Sequence, residues 1–278
     1  MTRSHSRFGT TIAYAVLGLA TLVALFPIYW TVLTSLRHRV DIFASPPKLF
    51  GGSLTLDNYR SILADGQFLS SLGLTVFVTA LATVVAVLFG ALAAYALARR
   101  PSFATRRPFE AWLILVRAMP GIVLAVPLYQ IVVKLGLYDQ PVVLGLTYAA
   151  INFPFAVWLM VGFIQGVPYE LEESAKVDGA SQSYVLTRVI LPLVAPGLAA
   201  TTIFVALLAW NEFLMPLVLA DQAGKTLPVY VAGFVTSRTI DYGGMAAAAS
   251  MAILPIAVLT LLVQRQLVAG LSMGAVKD

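Results

Sequence analysis

The run SLGLTVFVTALATVVAVLFGALAAYAL, Ser71 to Leu97, contains no charged residue. As an α-helix it would reach about 40 Å, more than the roughly 30 Å hydrocarbon core of a bilayer. Its length and lack of polar alternation exclude a strand, and a transmembrane barrel would need short alternating segments. Five further stretches qualify on the same grounds: Thr11 to Leu36, Ala111 to Val133, Val142 to Gln165, Leu198 to Ala220 and Met245 to Val263. The first is long and no A-x-A site follows it closely, so it reads as an uncleaved anchor.

The composition agrees. Of 278 residues, 59% are apolar and 11% charged, and the mean hydropathy is +0.87. Soluble domains carry about 45–50% apolar and about 25% charged residues. An ordinary soluble enzyme could not hide this much apolar surface, and a disordered chain would not carry it. The net charge of +5 arises without a long basic run, so it reflects membrane orientation and not a nucleic-acid partner. With no cysteine in the chain, disulfides, thiolate catalysis and Cys-ligated metals are excluded. The expected fold is an all-α membrane protein, one domain over 1–278 with six transmembrane helices. The positive-inside rule puts both termini in the cytoplasm, because Arg99, Arg100, Arg106 and Arg107 then crowd one inner loop.

Two loops exceed a hairpin. Arg37 to Ser70 holds Ser45-Pro46-Pro47 and Leu56-Asp57-Asn58-Tyr59, expected as a turn-rich segment with one small helix. The other, Gly166 to Gly197, reads as a helix, a glycine and a second helix. Pro168 suits a first helical turn, and Glu170, Glu172 and Glu173 fall near the positive N-terminus. Leu171 and Ala175 share a face, Gly179 ends the helix in a left-handed conformation, and Ser181 caps the next one. Pro192 and Pro196 limit that second helix. On these grounds alone the loop is either a solvated amphipathic connector or a docking element.

Other chemistry is sparse. The two histidines, His5 and His38, lie outside the spans, and no metal-ligand spacing occurs. Gly224-Lys225-Thr226 ends like a phosphate-binding loop, but the required earlier glycine is Leu219. The chain is therefore expected to bind no nucleotide and no cofactor.

The loop resembles the cytoplasmic motif of ABC importer permeases, in which Glu-Ala-Ala, three residues, Gly, nine residues and Ile-x-Leu-Pro follow one another. Here Glu173-Ser174-Ala175 precedes Gly179 and then Val189-Ile190-Leu191-Pro192 at the same spacing, with Ser174 for Ala and Val189 for Ile. Leu56-Asp57-Asn58-Tyr59, Arg117-Ala118-Met119-Pro120, Asn152-Phe153-Pro154, Trp210-Asn211-Glu212 and the tail Gln264-Arg265, Gly270-Leu271 and Gly274-Ala275-Val276-Lys277 look like the carbohydrate-uptake group. The resemblance is nearest to the shorter, six-span permease of maltose-type transporters. It implies the type I importer fold and a bacterial or archaeal cytoplasmic membrane. Implied partners are a second permease, two cytoplasmic ATPase subunits holding ATP and Mg, and an extracytoplasmic solute-binding protein. It also implies that the loop docks on the ATPase through Glu170, Leu171, Glu172, Glu173, Ser174, Ala175, Asp178 and Gly179, with Pro192 closing the motif.

Polar groups within spans are costly and have a partner or line a path. At 1.5 Å per residue, Glu212 lies roughly 21 Å from the inner face and Asn152 roughly 15 Å from the outer face. Asn152, Trp210, Asn211 and Glu212 are candidate path residues; interhelical hydrogen bonds and aromatic packing explain them equally well. Within the family the main sugar contacts often lie in the partner permease. Arg117, about 9 Å from the inner face, is expected to snorkel to the cytoplasm or meet another subunit. Gly90, Ala94 and Ala98 suit a close helix crossing, and Pro120, Pro127 and Pro154 suit kinks. The expected function is import of a sugar or sugar-like polyol by an ABC importer. The alternatives are a glycerol phosphate or other polyol-derivative importer and an ion-coupled secondary transporter; for the last, Glu212 is the lone intramembrane acid.

Overall fold

The computed structural model describes residues 7–99, 103–221, 224–236 and 239–275. Readings placed on His5, Arg100, Val276 and Lys277 fall outside these residues, as does the side on which the two ends lie. In chain order the helices are α1 (Arg7–Ser35), α2 (Arg39–Ile42), α3 (Asp57–Asp65), α4 (Gln67–Arg99), α5 (Phe103–Ala118), α6 (Gly121–Lys134) and α7 (Pro141–Gln165). There follow α8 (Glu170–Val177), α9 (Gln182–Leu193), α10 (Ala195–Trp210), α11 (Leu214–Leu219), α12 (Leu227–Ala232) and α13 (Tyr242–Ala275).

Stretches in α1, α4, α7 and α13 are each long and apolar enough to cross a membrane unbroken. The third and fifth spans differ from the expected continuous helices. Residues of α5 and α6 meet at 95°, and α9 and α10 meet at 78°. With each bent pair counted as one crossing, the chain reaches six. The expected span from Leu198 to Ala220 also stops early: α10 ends at Trp210, and α11 begins only at Leu214.

Proline accounts for these breaks. Its ring collides with the carbonyl four residues earlier and it offers no N–H. Pro120 thereby ends α5 and Pro196 separates α9 from α10. Pro216 opposes continuation through Glu212 but is tolerated within the first turn of α11, where its N–H would be unpaired anyway. Pro127 and Pro154 remain inside α6 and α7.

The chain divides into two compact units, 1–69 with 231–254, and 70–230 with 255–278. In the first, the Leu56–Tyr59 stretch does structural work. Asn58 Nδ2 donates to the carbonyls of Ser35 (2.9 Å) and Arg37 (3.1 Å), closing the turn after α1. Arg37 is buried and donates to Lys48 and Gly51 carbonyls. The hydroxyl of Ser53 and the ammonium of Lys48 hold the Asp41 carboxyl well below the usual carboxylate range. That contribution is complete at neutral pH and is lost as pH falls through the lowered value. The expected small helix is α3.

In the second unit, α4, α7 and α10 enclose Val78, Ala82, Tyr148, Ala149, Ala156 and Val205, with Met215 and Leu219 of α11. A second cluster joins Ala94, Tyr95, Met160, Ile164, Val167 and Val185 near α8. The small-residue crossing is present. A Cβ on Gly90 would stand 2.8 Å from the Ala156 Cβ, and Ala94 is fully buried.

This contact predicts a contrast within α4. Gly90→Val should cost about 1–3 kcal/mol by overpacking. Gly73→Ala, where nothing lies within 4 Å, should gain up to about 1 kcal/mol of helix stability. Thermal unfolding in detergent checks both, and equal shifts for the two would refute the close crossing.

Candidate functional site

The segment after α7 is built as its local chemistry demands. Three acids occupy the first turn of α8, Lys176 the last, each matching the helix dipole. Gly179 adopts φ +82°, a left-handed conformation that a Cβ disfavours. Ser181 Oγ accepts from Tyr184 N at 3.3 Å, capping α9. Within α9, Val185–Ile190 winds as a π-helix, a form often found at functional positions.

The side chains of α8 separate into two faces. Glu170, Leu171, Glu173, Ser174, Val177 and Asp178 are exposed, Val177 by 86%. Ala175 is half-buried against the cluster below, and Pro192 is exposed at the far end of α9. Glu172 belongs to neither its neighbours' face nor solvent, being 0% exposed. Its Oε2 accepts from Tyr95 Oη at 3.0 Å, and its Oε1 pairs with Arg99 Nε. Arg99 also donates to the Val167 carbonyl at 3.0 Å. Tyr169 packs between two cations, 5.8 Å from the Arg99 guanidinium and 5.4 Å from the Lys176 ammonium. Sequence reasoning grouped Glu172 with the other acids and missed Tyr95 and Arg99. Their spacing of four, ending a long apolar helix opposite an acidic turn, was the available signal.

The intramembrane candidates are only partly brought together. Trp210 is buried, and Asn211 and Glu212 occupy the break between α10 and α11. Asn211 is exposed and its Nδ2 donates to Leu207 O at 2.8 Å. Glu212 Oε1 accepts from Leu214 N (3.0 Å) and Met215 N (3.2 Å), capping α11. Buried Asn152 turns its amide to Tyr148 O of its own helix, 2.9 Å away. Arg117 is exposed, with its guanidinium 4.9 Å from the Phe155 ring centroid. The contact is a cation–π pair between α5 and α7.

Hydroxyls spaced by four also escaped attention. Ser71, Thr75, Thr79 and Thr83 form a buried stripe on α4. Thr75 Oγ1 accepts from Leu227 N at 2.8 Å. The Gly224-Lys225-Thr226 stretch is organised by Asp139, whose Oδ1 accepts from Asp221 N and Gly224 N, both at 2.8 Å. Among the described residues no three His, Asp or Glu side chains form a metal-binding group.

Comparison with known proteins is consistent across the chain. The profile of the family described as binding-protein-dependent transport system inner membrane component matches residues 86–272. The trehalose transport system permease protein SugB of Mycobacterium tuberculosis is 38% identical, covering 91% of this chain and 93% of that protein. The diacetylchitobiose uptake system permease protein DasC of Streptomyces coelicolor is 35% identical, covering 91% of each. A crystal structure of a bacterial ABC transporter involved in import of the acidic polysaccharide alginate matches with a TM-score of 0.77 and 24% identity. That match covers 95% of this chain and 98% of the other.

The capping role makes a prediction about Glu212. Glu212→Ala should lower stability by about 0.5–2 kcal/mol, the range for a lost helix cap. Glu212→Gln keeps an acceptor oxygen and should recover most of it. Unfolding in detergent distinguishes them, and identical midpoints for the two would show that the cap contributes nothing.

Proposed function

Because the chain belongs to the family of binding-protein-dependent transport system inner membrane components, we propose that it is the permease subunit of an ATP-driven ABC importer for a sugar. The observation that carries the reading is the α8 unit. A short helix, fixed by a left-handed glycine, presents Glu173 outward at the end of a membrane bundle. A membrane subunit with no nucleotide site needs such a contact to receive work from an ATPase. The sugar assignment draws on relatives whose names specify trehalose and diacetylchitobiose.

In this reading the chain is no enzyme and holds no cofactor. Two cytoplasmic ATPase subunits bind ATP and Mg, a second permease completes the path, and an extracytoplasmic binding protein delivers the solute. The loop from 166 to 197 then faces the cytoplasm. ATPase closure displaces α8, and the bundle alternates between outward and inward access because the two states differ in this contact. Trp210, Asn211 and Glu212 border the path at the break in the fifth span, where irregular backbone is tolerated beside a cavity. Asn152 serves packing.

The test is a complex reconstituted in liposomes with its ATPases and binding protein. Uptake of radiolabelled sugar should require internal-facing ATPase and ATP and should survive a protonophore. Gly179→Val, which strains a left-handed turn without a steric clash, and Glu173→Lys should each reduce uptake at least tenfold at normal membrane levels. Uptake driven by a proton or sodium gradient without ATP would overturn the proposal.

A further inference from the structure

We propose that Glu172, Arg99 and Tyr95 form a strut that carries movement of α8 into α4, a positioning role separate from the surface offered to the ATPase. The inference rests on the permease reading given above.

The geometry singles out Glu172. Its neighbours Leu171 and Glu173 are exposed, whereas its own carboxylate is enclosed and both oxygens are occupied by groups from one helix. Tyr95 and Arg99 stand one turn apart on α4, so they grip the carboxylate from a single rigid face. Arg99 additionally holds the Val167 carbonyl, which ties the turn entering α8 to the same point. Its side chain is only 11% exposed. A buried pair of this kind opposes separation strongly, because either partner alone would be an uncompensated charge. A displacement of α8 therefore cannot leave the end of α4 behind.

The rest of α4 extends this link through the unit. The helix is unbroken from Gln67 to Arg99. It crosses α7 closely at Gly90 and Ala156. Twenty-four residues before Arg99, roughly 36 Å along the axis, Thr75 Oγ1 holds the N–H of Leu227. Movement received at Arg99 thus reaches the opposite end of the bundle through one continuous rod. By contrast, the covalent continuations of α8 lead to α7 and to the bent α9–α10 pair.

Sugar transported per ATP hydrolysed in the reconstituted complex is the readout, since a purely structural pair would change protein recovery and leave that ratio alone. Glu172→Ala should lower the ratio at least tenfold. Tyr95→Phe, which keeps the ring and removes one hydrogen bond, should lower it two- to fivefold. The exchange Glu172→Arg with Arg99→Glu should restore at least a third of the wild-type ratio. Gly179→Val serves as the control for the coupling loop on which the strut depends. If it uncouples while Tyr95→Phe and Glu172→Gln both keep the wild-type ratio, the strut is refuted and the coupling loop stands. If Gly179→Val and Glu173→Lys also keep the wild-type ratio, the coupling-loop assignment has failed, and with it the strut; uptake that needs no ATP would instead overturn the permease reading. Should Glu172→Ala not accumulate in membranes, Tyr95→Phe and the charge exchange decide the matter: a wild-type ratio for Tyr95→Phe, or an exchange no better than Arg99→Glu alone, overturns the proposal.

Discussion

A carboxylate enclosed at the end of an apolar bundle must be paired, because an isolated buried charge is too costly to keep. Glu172 meets that requirement with Arg99 and Tyr95, and much of the loop follows from it. Once Glu172 is turned inward, helical geometry sends Leu171 and Glu173 outward. Arg99 also fixes the Val167 carbonyl, so the entry to α8 and its first turn are positioned together. Gly179 then releases the chain into α9 at an angle that few other residues would adopt. The exposed face available to a partner is in this sense a consequence of the buried one.

Within the bundle, backbone hydrogen bonding imposes a comparable constraint, since unpaired groups cannot be left facing hydrocarbon. The interruption at Asn211–Phe213 satisfies it locally: Glu212 supplies the acceptor for two N–H groups that open α11, and Pro216 needs none. Arg117 at the neighbouring break rests on Phe155, an aromatic face substituting in part for the water that a cation normally holds. Both breaks bring polar side chains next to interrupted helices while giving each a partner, which suits the alternating access proposed above.

The long apolar runs of α1, α4, α7 and α13 were legible in the sequence because hydropathy reports length and charge directly. Gly179, Ser181 and the short helix α3 were legible too, through turn and capping chemistry. The bends were harder to see. Ala111–Val133 and Leu198–Ala220 look continuous to a hydropathy window, whereas Pro120, Pro196 and Pro216 act through a clash four residues back. The functional site was readable as a motif and unreadable as a geometry. Glu170, Glu172 and Glu173 are alike in sequence, and what separates them is Arg99, 73 positions away along the chain. Likewise, Asn152 and Asn211 look equivalent as intramembrane amides, yet one is buried and the other exposed.

The central claim is that the outward face of α8 is covered by an ATPase subunit in the working transporter. The chain has no cysteine, so a single thiol can be placed there without background. Maleimide labelling of Leu171→Cys and Val177→Cys, both at exposed positions, is the direct measurement. The account predicts rapid labelling in the permease alone and strong protection when the ATPase subunits are bound. Equal labelling rates in the free permease and in a complex that still transports sugar would contradict it.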